Sequence, residues 1–134
     1  MSDPVVVLAS GVIDRVSEDA ELRSTLRHLV EHGWDPVIPT VVLAEATSGR
    51  AVDARANRAI KQIGTVDTTP PTARLAGRLR HDVVQSSVRR IPGGIDAIVA
   101  AHAAEAGAGV VFTSDPTDMR RLLADRPHVL VEKP

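Results

Sequence analysis

Apolar positions along this chain follow two rhythms, short continuous runs and stripes that recur every three or four residues. Val5-Val6-Val7-Leu8 is a β-branched run of the kind buried on both faces of a parallel sheet. The small residues Ala9-Ser10-Gly11 then turn the chain into a helical stretch with Val12, Ile13 and Val16. Ser17, followed by Glu18 and Asp19, reads as the start of a helix striped by Leu22, Leu26, Leu29 and Val30 and closed at Gly33. Pro36 to Pro39 reads as a second strand. Thr40 is placed to cap a short helix through Val41, Val42, Leu43 and Ala44, and Thr47-Ser48-Gly49 breaks it. A helix over Ala51 to Ile63 carries Val52, Ala56, Ala59, Ile60 and Ile63 on one face. Gly64 to Asp67 reads as a weak strand. Thr69 caps a helix with Pro70 in its first turn and Leu75, Leu79 and Val83 on its buried side. Gln85 to Gly94 has no apolar period and reads as a mobile loop. Ile95 to Ala106 is an alanine-rich helix, Val110 to Phe112 a strand, Asp115 onward a helix facing Met119, Leu122 and Leu123 inward, and Val129 to Val131 the last strand. Strands alternating with helices predict an α/β fold, a parallel sheet covered by helices on both faces. In such sheets ligands gather at the carboxyl ends of the strands.

Composition narrows the chemistry. The chain has 134 residues, the size of one domain, so residues 1–134 read as a single unit. There are no cysteines, which removes disulfides, zinc-thiolate sites and thiol catalysis. Trp34 and Phe112 are the only aromatics, so recognition by stacked rings is excluded as a main mode. No apolar run approaches the twenty or so residues of a membrane span, and the first four residues do not resemble a signal peptide, which makes a cytoplasmic protein without membrane partners the expectation. A net charge of −1 argues against binding nucleic acid through overall charge but leaves local basic patches open.

Three acids stand at strand ends or helix starts. Glu45 lies among apolar residues and should be partly buried beside a cation, a donor or a metal; it could also face solvent or pair with Arg50. Asp96 opens the alanine-rich helix after Gly93-Gly94, where the helix dipole also favours an acid, and Asp115 stands where a helix N-cap is wanted. Together they are harder to explain, because clustered like charges need a neutralising cation, and oxygen-only ligands select Mg²⁺ or Mn²⁺.

The series of an apolar strand ending in Ala-Ser, then IPTVVLAE, then GGIDAIVAAHA, then VVFTSDPTDMRRL resembles the PIN-domain ribonucleases, particularly the bacterial toxins of VapC type. The resemblance covers nearly the whole chain, and IPTVVLAE and FTSDPTDMRRL are its specific parts. It implies a three-layer α/β/α fold around a five-stranded parallel sheet and a metal-dependent ribonuclease holding one or two Mg²⁺ or Mn²⁺ ions. It further implies an RNA substrate, a cognate antitoxin and a homodimer. Carried over by position, Glu45, Asp96 and Asp115 match the family's catalytic, metal-binding acids, with Asp118 as a further metal ligand. Ser10 and Thr113 become supports for those carboxylates, and Arg89 and Arg90 become grips for RNA phosphate, although two adjacent arginines are equally a solvated surface pair. The chain departs from the family at one position: Leu8 stands where the family places the aspartate that ends the first strand. Asp14, a turn further on, is a poor substitute.

Two other classes compete with a nuclease. A PIN-like fold that has lost catalysis through Leu8 would act as an RNA- or protein-binding module. A phospho-receiver domain would want adjacent acids after the first strand and a lysine near the last ones, where this chain has Leu8-Ala9-Ser10 and only the terminal Lys133. A nucleotide-binding enzyme lacks its glycine-rich loop after a strand. His102, beside Ile98 and Val99, reads as a structural histidine.

Overall fold

A computed structural model describes residues 3–86 and 91–134. Arg89 and Arg90 lie outside these. The strands are β1 (Val5–Leu8), β2 (Asp35–Pro39), β3 (Thr65–Val66), β4 (Gly109–Phe112) and β5 (Val129–Glu132), all parallel, in the order β3-β2-β1-β4-β5. The helices are α1 (Ala20–Glu31), α2 (Leu43–Ala46), α3 (Ala54–Ile63), α4 (Pro70–Ser86), α5 (Gly94–Glu105) and α6 (Pro116–Leu122), with single 3-10 turns around them. This is a five-stranded α/β/α sandwich.

The layers follow from where apolar surface needs covering. β1 is central, and Val6, Val7 and Leu8 are all fully buried, as a run without polar alternation requires. α1 and α3 lie along β2, on the face reached by the leftward crossovers. The rightward crossovers place α5 against β1 and β4 on the other face, with α4 and α6 packed beside it. Alanines make the α5 contact close: Ala97, Ala100, Ala101 and Ala103 are all inaccessible. The predicted stripes Leu75/Leu79/Val83 and Met119/Leu122/Leu123 are in the core, and of the α1 stripe Leu22 and Leu26 are buried and Leu29 is partly buried, whereas Val30 is 51% exposed at the edge of the stripe.

Local caps differ from the sequence expectation where a distant or better-placed partner wins. Asp19, not Ser17, caps α1, its carboxylate accepting the Leu22 amide at 3.0 Å. Thr40 does not cap a helix; its hydroxyl reaches across to β3, donating to the Val66 carbonyl at 3.1 Å and to Asp67 at 2.9 Å. Val52, expected on a buried face, is 81% exposed, because residues 51–53 form a 3-10 turn that breaks the register of α3. The helix preceding the expected loop runs through Ser86. Among the described residues no helix is long and apolar enough to cross a membrane.

Candidate active site

The crossovers reverse direction between β1 and β4, so the carboxyl ends of these strands mark the switch point at which a parallel sheet has its crevice. Leu8 is in register with Phe112, and the Ala9 amide donates to the Phe112 carbonyl at 3.0 Å, which holds the two exits side by side. Past these exits the segments stay close. Gly11 lies so near Ser114 that a Cβ there would strike the serine hydroxyl and approach its Cβ to 3.0 Å, so a larger residue would require the exposed Ser114 side chain to rotate and shift. Ser10 donates its hydroxyl to Glu45 Oε1 at 3.2 Å, fastening α2 to the same edge. Ser10 thus donates to one of the acids singled out in the sequence. Glu45 itself is exposed, not partly buried, because α2 is a single turn whose Leu43 and Ala46 pack inward while Glu45 faces the crevice rim.

Asp115 occupies the N-cap position of α6, yet its side chain makes no cap bond and is exposed at the rim. A carboxylate left out of the cap remains available to an external cation or donor. Thr113 does not brace a carboxylate. Its hydroxyl accepts the Asp115 amide at 3.1 Å, shaping the turn out of β4. Asp118, proposed as a metal ligand, is instead turned into the protein: it is 4% exposed and takes a hydrogen-bonded ion pair from Arg121 at 3.3 Å. The i,i+3 spacing makes that pair a tie within α6, with its carboxylate buried. Asp96 is half-buried in the first turn of α5, whose N-cap is Gly93.

The acids expected to share an ion thus approach one edge from α2, α5 and the β4–α6 turn. The fit to a divalent cation is nevertheless poor. Leu8, at the end of the central strand, is fully buried and offers no side-chain oxygen. Among the described residues no three His, Asp or Glu side chains form a group able to hold a metal ion. No catalytic step through a metal follows from this arrangement.

Two titratable groups away from the edge stand out, and both are structural. Asp53 is buried and accepts the amides of Ser48 and Gly49 at 2.7 Å each, the Arg50 amide at 3.3 Å and the Ser48 hydroxyl at 2.9 Å. The Ser48 amide above all holds its carboxyl below the usual carboxylate range, against an opposing effect of burial. The sequence shows only a helix break here; the available signal was an acid three to five residues after Ser-Gly-Arg, an acceptor for a turn's free amides. His102 on α5 pairs with the Thr68 hydroxyl at 2.9 Å. Burial pushes its imidazole below the usual range, with the Glu105 charge opposing.

No protein-family model matches the sequence, and no curated protein matches it significantly. Solved structures do. VapBC2 from Rickettsia felis, bound to a DNA fragment from its promoter, contains a chain that superposes with a TM-score of 0.73 at 17% identity, over 96% of this chain and 98% of its own. The fold is shared. FitAB bound to an IR36 DNA fragment gives a TM-score of 0.67, again at 17% identity, over 96% of this chain and 94% of that one. At this identity the likeness speaks for architecture and leaves the site chemistry to the residues present.

Proposed function

We propose that this chain is the PIN-like member of a two-component, toxin–antitoxin-type assembly, and that its strand-end acidic edge is a degenerate metal-dependent ribonuclease site that binds RNA or a protein partner without efficient cleavage. The observation that carries this reading is Leu8, a fully buried leucine at the carboxyl end of the central strand, between the Ser10–Glu45 contact and the Asp115 turn. Full-length likeness to chains of the VapBC2 and FitAB complexes supports the two-component setting, with an antitoxin-type partner and a homodimer as the expected assembly.

A second reading is favoured by the exposed, uncapped Asp115 and the rim-facing Glu45. In it, Glu45, Asp96 and Asp115 suffice to recruit Mg²⁺ or Mn²⁺ and the chain hydrolyses RNA. Such an ion would supply Lewis-acid activation of water and of the scissile phosphate. The chain's own part would be Ser10 holding Glu45 in place and the Thr113 turn presenting Asp115.

Cleavage of a mixed RNA pool in Mn²⁺ separates the two. The first reading predicts background activity for the wild type, a gain for Leu8→Asp, and loss of that gain in Leu8→Asp/Asp96→Asn. Metal-dependent cleavage by the wild type that disappears in Asp96→Asn would establish the second reading instead.

A further inference from the structure

The exposed side of α4 carries an arrangement that neither the crevice nor the core explains. Arg74, Gly77, Arg78 and His81 fall at i, i+3, i+4 and i+7, a single face of the helix. They form one wall of a groove of about 480 Å³ whose far side is Arg126, from the turn between α6 and β5; Asp82 is the only acid lining it. Among the described residues Arg74, Arg78 and Arg126 enter no ion pair, although Asp82 stands one turn from Arg78. The Arg126 Nε is buried without an acceptor. Three arginines against one acid make this a concentrated positive surface on a chain of net charge −1.

Gly77 adds an independent sign. It sits inside a 17-residue helix, where glycine is unfavourable, and a Cβ there would meet nothing within 4 Å. Packing therefore does not require it. What its absent side chain does is lower the groove floor between Arg74 and Arg78, so that a ligand chain can lie against the helix backbone.

We infer that the α4 groove, lined by Arg74, Arg78, His81 and Arg126 around Gly77, binds the phosphodiester backbone of single-stranded nucleic acid. Guanidinium forks aligned along a helix match successive phosphates, and this mode of recognition works through backbone charge without stacked rings. The site is separate from the acidic edge: Asp115 begins α6 and Arg126 follows its other end. Binding in this groove goes beyond the role proposed for the acidic edge and does not depend on it.

The test is fluorescence anisotropy of a labelled 20-nucleotide single-stranded RNA with the full chain in EDTA, so that cleavage plays no part, over a salt series. Arg74→Gln/Arg78→Gln is expected to weaken binding at least tenfold and to flatten the log–log salt slope by about 1.4, since each phosphate that a guanidinium no longer neutralises removes roughly 0.7. Gly77→Glu guards against misfolding as the cause, since it improves helix propensity at an exposed position; it should weaken binding by a similar factor with an unchanged or higher melting temperature. Glu45→Gln should bind like the wild type, which separates this site from the crevice. Affinity and slope unchanged in both groove variants would overturn the inference, as would polyglutamate binding as tightly as RNA at the same salt, which would make the groove a site for acidic protein.

Discussion

Four acids illustrate how environment decides a residue's role. Asp53 faces three backbone amides and a hydroxyl, Asp118 faces a guanidinium under the surface, Glu45 holds a serine at the rim, and Asp115 is left uncapped. Asp118→Ala should cost about 3 kcal/mol in urea denaturation, because it leaves the partly buried Arg121 without this partner, whereas Asp115→Asn should leave the midpoint unchanged. Equal effects of the two would refute the division into a structural acid and a rim acid. Asp53 has a depressed folded pKa, so its contribution is present above the unfolded value of 3.8 and is lost as pH falls through the lower folded one. Asp53→Asn should therefore lower the melting temperature near neutral pH and converge on the wild type in strong acid.

Elements bring these residues together through two tight junctions. One is the meeting of the β1 exit with the β4 exit at Gly11 and Ser114, where Gly11→Ala should cost about 1 kcal/mol as the Ser114 side chain rotates and shifts. No loss of stability in that variant would contradict the close approach. The other is α5 against the β3–α4 connection, through His102 and Thr68. Because burial lowers the folded pKa of His102 below the unfolded value of 6.5, the unfolded chain binds more protons between the two, and stability falls as pH drops below about 6.5. Melting temperatures from pH 7.5 to 5 should show that slope in the wild type and a shallower one in His102→Gln. The stripes of α1, α4 and α6 and the β-branched run of β1 are legible in the sequence because local periodicity encodes them. The caps expected at Thr40 and Ser17 do not form, because capping propensity is local, while Thr40 finds its acceptors 26 and 27 residues away and Asp19 takes the α1 cap.

At the scale of the whole molecule, the sheet order gathers what the sequence scatters. Segments around residues 10, 45, 96 and 115 reach the same end of the sheet because all its strands run parallel, and β1 and β4, whose crossovers depart in opposite directions, are neighbours there. That the acids follow strands is readable from the chain. That Glu45 is exposed, that Asp118 turns inward and that no three described acids close on one point depend on packing, which local sequence does not encode. Leu8 is the residue held responsible for keeping this edge from binding a cation, and thermal denaturation in EDTA and in Mn²⁺ tests that directly. The wild type should melt at the same temperature in both. Leu8→Asp, with a carboxylate in a fully buried position, should melt about 10 °C lower in EDTA and recover most of that loss in Mn²⁺. A wild type stabilised by Mn²⁺, with the shift abolished by Glu45→Gln or Asp96→Asn, would contradict the role given to Leu8.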